Sequence, residues 1–237
     1  MNIVRLLFLE VKRKSLRPYY ITILVSTFCS LGFLYLMACI PKIDPYDSDI
    51  EMFNSYHFVI GLTMIVMMGI YIIISAIIAA KVLVDEYTGK KVILLFSYPI
   101  CRKQIISVKI FIIIMSTFLG MMFSGVCIFT LFILTECIYP ICIDSITVEL
   151  IIKIIINLVN CALISGCCGV ISGWIGFKYK SIIGTIISSC IIMIAVCQIS
   201  AIILLSKTTT FLLLMVLGIV MLLVSVSLRN QVEKIEL

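Results

Sequence analysis

The sequence predicts an all-α, polytopic membrane protein with six transmembrane helices. Of its 237 residues, 63% are hydrophobic and only 13% are charged, whereas about a quarter of the residues in an ordinary soluble chain are charged. Apolar runs long enough to cross a hydrocarbon core of about 30 Å as helices recur along the chain. Backbone amides in lipid need internal partners, so these runs predict helices rather than open strands.

The apolar runs predict six spans within a single transmembrane domain that covers the whole chain. The predicted spans are 18–40, 58–83, 109–134, 150–173, 181–205 and 211–228. The first run is too long for a secretory signal and lacks a small-x-small cleavage site, so it is predicted to be a retained helix. Residues 1–17 place apolar side chains on one helical face and cations on the other, which predicts an amphipathic interfacial helix. The alternative is an irregular tail whose cations only mark the inner surface.

The positions of the cations predict the orientation. With both termini in the cytoplasm, fifteen of the 18 Lys and Arg residues lie inside, as the positive-inside rule expects. Only Lys42, Lys153 and Lys207 then lie outside, where seven acidic residues are found. The net charge of +6 is therefore interpreted as a topology signal, and no nucleic-acid partner is expected.

Motifs for catalysis or nucleotide binding are missing from the sequence. It contains no GxxxxGK[ST], HExxH or GxSxG pattern, and its one histidine, His57, lies at the mouth of a predicted span. We therefore expect no enzyme activity, metal or cofactor in this chain. The span interiors carry almost no charge, which disfavours an ion-coupled carrier. Of the 11 cysteines, Cys137 and Cys142 share an outer loop, where they either pair or remain free thiols.

Two groups of residues within the spans are of interest. The amide side chains of Asn157, Asn160 and Gln198 are candidates for lining a translocation path; the alternative is hydrogen bonding between neighbouring helices. Small residues at helical spacing allow two backbones to approach closely, within one subunit or across a dimer. The glycines that provide this spacing are Gly166, Gly169 and Gly173.

A charged segment, residues 84–108, separates the second and third spans. Val92, Leu95 and Phe96 form one apolar face at helical spacing, and Pro99 ends this stretch because proline cannot continue a helix. The segment is predicted to contain a two-turn helix at the cytoplasmic surface, where it either contacts a partner protein or rests on lipid headgroups.

The order of residues in this segment resembles the loop between spans two and three of ABC-2 type permeases. The matching residues are Val82, Asp85, Glu86, Gly89, Lys90, Leu94, Leu95, Pro99, Ile100, Arg102 and Lys109. In that family the loop is a coupling helix that docks in a cleft of the ATP-binding subunit. The resemblance implies that the residues coupled to an ATPase are Asp85, Glu86, Tyr87, Gly89, Lys90, Lys91, Leu94, Leu95, Pro99, Arg102 and Lys103.

The resemblance implies a permease subunit of an ATP-driven exporter in a bacterial cell membrane. Two ATPase chains would bind ATP and Mg²⁺, and a second permease subunit, identical or related, would complete the complex. Small permeases of this length are similar to exporters of antimicrobial peptides, including lantibiotic immunity systems, and of hydrophobic drugs. One departure is that only residues 206–210 separate spans five and six, whereas larger members often place re-entrant helices there. The alternatives are a non-transporting membrane scaffold or sensor, and a secondary carrier or channel.

Overall fold

The chain folds into a bundle of helices. The computed structural model describes residues 17–43, 55–85, 102–138, 147–203 and 209–234. These residues form α1 (Arg17–Ile43), α2 (Tyr56–Ala79), α3 (Arg102–Ile138), α4 (Val148–Tyr179), α5 (Ile182–Ile203) and α6 (Thr209–Lys234). A π turn, Ala80–Val84, continues α2. No strand occurs in these ranges, so the predicted all-α class is confirmed for them.

The lengths and compositions of the helices are those of a multi-pass membrane protein. Over the described residues, α1 to α5 each contain an apolar stretch long enough to cross a membrane, and α6 contains a shorter one, Leu213–Arg229. The polytopic class is therefore supported, whereas the count of six spans stays a prediction.

Several helices extend beyond the predicted spans. The third helix begins at Arg102 and ends at Ile138, although the apolar run predicted a span over 109–134. Nothing after Pro99 breaks a helix, so α3 starts within the segment that we assigned to the coupling loop. At its other end α3 includes Glu136, which hydropathy placed in an outer loop. Apolar runs mark only the part of a helix that suits lipid, and the backbone hydrogen bonds continue past it.

Contacts between helices define their directions. The Tyr19 hydroxyl donates to the Ser116 carbonyl oxygen, and the hydroxyls of Tyr35 and Thr135 lie 2.7 Å apart, so α1 and α3 run parallel. The other directions follow from the contacts Tyr56–Glu136 and Tyr71–Gly120 for α2, Leu158–Gly125 for α4, and Cys197–Gly69 for α5. The Gly166–Thr117 contact and the short connection between α4 and α5 complete this set, so α2 and α4 run opposite to α1, α3 and α5. Helix α6 runs with α2 and α4, because Leu213 packs on one apolar cluster and Leu228 belongs to the other. We call the two ends of the bundle the Lys109 end and the Glu136 end.

The core lies around α2 and α4. In α2, 61% of the most apolar 18-residue stretch is buried, against 28% in α1 and 17% in α5. A large apolar cluster extends from the middle of the bundle towards the Glu136 end. A smaller cluster, here called the Lys109-end cluster, contains Ala79, Val82, Leu83, Ile106, Ile110, Ile113, Val170, Phe177, Val224 and Leu228. This second cluster joins α2, α3, α4 and α6.

Candidate functional site

The end of α2 that leads into residues 86–101 is a π turn. The Asp85 N–H donates to the Ala80 carbonyl oxygen at 2.8 Å, the i→i+5 bond that defines this helix type. Val82, Leu83 and Val84 are buried, whereas Lys81 is exposed. Because π turns within α-helices occur frequently at functional sites, this turn marks the Lys109 end as a candidate functional region.

Lys109 lies inside the bundle near the start of α3, with its side chain fully buried. Its neighbours Ile106 and Ile110 belong to the Lys109-end cluster. Lys109 and Asp85 each interact with other groups of the chain, as expected because a buried charge without a partner is very unfavourable. The charge pattern of the sequence placed Lys109 among the cations of the inner surface. Its side of the membrane stays a prediction, whereas its burial was not predicted, since hydropathy does not reveal which face of a helix is covered.

Exposed cations lie at the same end of the bundle as the buried lysine. The exposed side chains are Lys81, Lys178, Lys180 and Arg229. Lys178 Nζ lies 5.8 Å from the centre of the Trp174 ring, within the range of a cation–π interaction. The described surface at this end is therefore positively charged and suited to binding acidic groups of a partner or of lipid headgroups.

The connection between α4 and α5 is a tight turn at the same end. Lys180 adopts a left-handed conformation with φ 50°, and the Ser181 N–H donates to the Gly176 carbonyl oxygen at 3.1 Å. Ser181 Oγ then accepts from the Gly184 N–H at 3.1 Å, capping the first turn of α5. A Cβ on Gly176 would lie 2.8 Å from Thr185 Cβ, so α4 and α5 form a closely packed hairpin.

The predicted coupling residues fall largely outside the described ranges. Those outside are Glu86, Tyr87, Gly89, Lys90, Lys91, Leu94, Leu95 and Pro99, as is the predicted amphipathic helix in residues 1–17. Asp85 is half-buried at the end of the π turn, and Arg102 and Lys103 form the first turn of α3. Val82 and Leu83 pack in one cluster with Ile106 and Ile110. The structure thus brings the helices on either side of residues 86–101 together.

The glycines of α4 lie against two different helices. A Cβ added to Gly169 would lie 2.5 Å from Ser75 Cβ, and one on Gly173 would lie 2.9 Å from Ala79 Cβ. Gly166 instead faces α3, with its added Cβ 3.2 Å from Thr117 Oγ1. Gly169 and Gly173 therefore lie where the backbones of α2 and α4 approach each other closely.

The three amide side chains do not converge on one face. Asn157 and Asn160 are half-buried on α4, whereas Gln198 is exposed on the side of α5 that points away from the bundle. Cys197, the preceding residue, faces α2 through its contact with Gly69. A path lined by all three amides within one chain is not visible in this arrangement.

Sequence reasoning missed a buried carboxylate at the opposite end. Glu136 is 4% exposed, and its Oε2 accepts a hydrogen bond of 2.8 Å from the hydroxyl of Tyr56. Phe132, one turn earlier, packs edge-on against the rings of Tyr35 and Tyr56. The signal was that no Gly or Pro occurs between Leu134 and Pro140, which allows α3 to continue past its apolar run. At 1.5 Å per residue, Glu136 and Lys109 lie about 40 Å apart along α3.

The remaining polar candidates are isolated. His57 is exposed at the start of α2, and Cys137 carries a free, exposed thiol, while Cys142 lies outside the described residues. No cluster of three or more His, Cys, Asp or Glu side chains occurs among the described residues. The described part of the Lys109 end is therefore a positively charged surface above an apolar cluster, rather than a group of reactive side chains.

Comparison with known proteins gives one informative match. Over 199 residues the chain is 24% identical to the uncharacterized protein YcbO of Bacillus subtilis strain 168, and the aligned region covers 83% of each chain. No family model matches the sequence, and no solved structure matches it. The name of YcbO describes no activity.

Proposed function

We propose that this chain is the membrane-spanning permease subunit of an ATP-driven exporter. A separate ATPase, present in two copies, docks on the segment between α2 and α3 and hydrolyses ATP with Mg²⁺. A second permease subunit completes the complex in a bacterial cell membrane, with both termini in the cytoplasm. The cargo is an amphipathic peptide, such as an antimicrobial peptide, or a hydrophobic drug.

The observation that carries this proposal is the convergence of α2 and α3 at the two ends of residues 86–101. The π turn of α2 and the first turns of α3 contribute to one apolar cluster with Val170 of α4 and Leu228 of α6. A protein that pushes on residues 86–101 therefore displaces two helices directly and two more through packing. Close-packed interiors transmit such displacements because they have little free volume.

The α4–α5 hairpin extends this coupling to the rest of the bundle. Its turn lies at the Lys109 end, and Gly169 and Gly173 hold α4 tightly against α2. A movement of α2 is then passed to α4 and on to α5. The described surface of the bundle is largely apolar between its two ends, which suits a cargo that partitions into lipid better than it suits a sugar or an ion.

The charge distribution supports an externally powered transporter. The two buried ionisable side chains of α3 are separated by more than the thickness of a hydrocarbon core of about 30 Å. They therefore lie near opposite membrane surfaces, and the residues of α3 between them are uncharged. Carriers that bind or relay ions need ionisable groups at membrane depth, so a separate source of energy is the better explanation.

Replacing Glu86 and Arg102 together by Gln tests the docking surface. Removing charged partners from an interface typically costs more than about 2 kcal/mol, so we expect at least a tenfold fall in the ATPase recovered with the tagged chain. Lys153→Gln, which removes a cation of α4 at the opposite end, where Lys153 pairs with Glu149, is the control and leaves recovery unchanged. Equal recovery from the double variant and the control would contradict the proposed docking site.

A further inference from the structure

We propose that α5 joins two copies of this chain, with Gln198 of one copy hydrogen-bonded to Gln198 of the other. The inference rests on the proposed function in one respect, because it identifies the second permease subunit as an identical chain. It starts from the low burial of α5, in which 17% of the most apolar 18-residue stretch is covered by the rest of the bundle. Ile187, Ile191 and Ile194 on its outer face are 57%, 64% and 58% exposed.

Gln198 lies on this outer face, one helical turn after Ile194. It is exposed and belongs to the apolar stretch Ile182–Ala201, so its amide faces the hydrocarbon in an isolated chain. In the part of the chain that the structure describes, this amide has no hydrogen-bond partner. A primary amide carries two donor hydrogens and an acceptor oxygen, and lipid tails satisfy none of them.

Other exposed polar side chains within the apolar helices do not share this position. The Thr22 hydroxyl donates to the Tyr19 carbonyl oxygen at 2.8 Å, and the Thr130 hydroxyl donates to the Val126 carbonyl oxygen at 2.7 Å. Both threonines are satisfied within their own helices and need no partner from outside. Gln198 is different because its exposed amide makes no such bond to the described residues of its own helix.

A second copy of the chain is the occupant that this face fits. An amide is complementary to itself, so two Gln198 side chains related by a two-fold axis each donate to and accept from the other. Closed two-fold dimers place the same residues of both subunits at such an axis. Ala195 and Ala201, on either side of Gln198 and both exposed, are small enough to let the two α5 backbones approach.

The proposal is tested by measuring self-association of the chain alone, without any ATPase. Copies labelled with a donor or an acceptor dye at an added C-terminal tag are reconstituted in vesicles of phosphatidylethanolamine and phosphatidylglycerol. Energy transfer is then followed as the protein is diluted in lipid. Four chains are compared: the unchanged protein, Gln198→Leu, Gln198→Asn, and Thr130→Val as the matched control. Trp174 fluorescence shows whether each variant has the same folded state.

We expect the unchanged chain to dimerise and Gln198→Leu to weaken dimerisation about tenfold, the size of effect typical of hydrogen bonds between membrane helices. Gln198→Asn keeps an amide and retains most of the association, and Thr130→Val leaves it unchanged. A photo-crosslinking residue installed at Ile194 forms a cross-link to a second copy, whereas one at Leu119 on the exposed face of α3 does not.

Two results would overturn the inference: a chain that stays monomeric at every dilution, or a Gln198→Leu variant that associates as well as Thr130→Val. Both are independent of ATPase binding. A chain that recruits an ATPase but does not associate with itself would keep the proposed function and identify the second permease as a different chain. A chain that dimerises through Gln198 without recruiting an ATPase would support the α5 contact and contradict the proposed function.

Discussion

Replacing Gly169 by Ala is expected to separate α2 from α4 and to lower the free energy of unfolding by about 2–3 kcal/mol. The new Cβ would lie 2.5 Å from Ser75 Cβ and 3.1 Å from the Ser75 carbonyl carbon. Neither contact is relieved by a rotamer change, because both involve atoms fixed by the backbone. The helices must therefore move apart at this contact. Unfolding is followed in lipid nanodiscs by the fluorescence of Trp174, the one tryptophan of the chain.

The matched control for this substitution is Gly32→Ala. Gly32 is exposed on α1, and a Cβ added there has no neighbouring atom within 4 Å. Its change in stability is expected to stay within about 0.5 kcal/mol. Adding Ser75→Gly to the Gly169→Ala chain removes the opposing Cβ and hydroxyl and restores part of the lost stability. If Gly169→Ala and Gly32→Ala unfold alike, the close contact between α2 and α4 is wrong.

Replacing Lys109 by Glu is expected to prevent accumulation of the folded chain in the membrane. The ammonium group can only donate hydrogen bonds, whereas a carboxylate only accepts them. Groups arranged around a buried cation would then face a buried anion, and an uncompensated buried charge costs about 3–5 kcal/mol. This is a large part of the stability of many single domains. The amount of monodisperse protein extracted from membranes measures the effect.

Two further substitutions separate charge from packing at this position. Lys180→Glu makes the same charge change on an exposed residue at the same end of the bundle and is expected to leave the yield unchanged. Lys109→Met keeps most of the side-chain volume without the charge and is expected to cost less than Lys109→Glu. Equal yields for Lys109→Glu and Lys180→Glu would show that Lys109 is not buried in the membrane-embedded chain.

Composition was sufficient to predict the all-α class, because long apolar runs in a weakly charged chain allow few alternatives. The helix ends were less predictable. Hydropathy follows the lipid-facing part of α3, and the helix itself starts at Arg102 and includes Glu136. Whether a helix continues past its apolar run depends on backbone hydrogen bonds and on the absence of breakers, which a hydropathy pattern does not report.

The positions of Lys109 and Gly169 show what a single sequence leaves open at the site. The spacing of Gly169 and Gly173 indicated a close helix contact, but the partner helix, α2, became visible only in the folded chain. Burial of Lys109 depends on α2, α4 and α6, which are distant in sequence and meet around the Lys109-end cluster. The π turn at Ala80–Val84 has no distinctive composition, since it is a change in hydrogen-bond register.

The predicted coupling segment is a feature for which the sequence alone was informative. The order of Asp85, Glu86, Leu94, Leu95, Pro99 and Arg102 resembles a coupling helix, so the residues alone favour docking to an ATPase. The folded chain adds that the helices flanking this segment meet in one apolar cluster. Under the proposed function, the long charged connection between α2 and α3 would give a partner protein access to helices that are packed against most of the bundle.

The most direct test of the permease assignment is to purify the chain from its native membrane and to identify what is recovered with it. We expect a soluble ATPase with a phosphate-binding loop, recovered in an equal number of copies, and ATP hydrolysis by the purified complex. Loss of that ATPase from the chain with Glu86 and Arg102 replaced by Gln would locate the docking site. Recovery of the chain alone, without ATP turnover, would contradict the permease assignment and favour a membrane scaffold or a carrier.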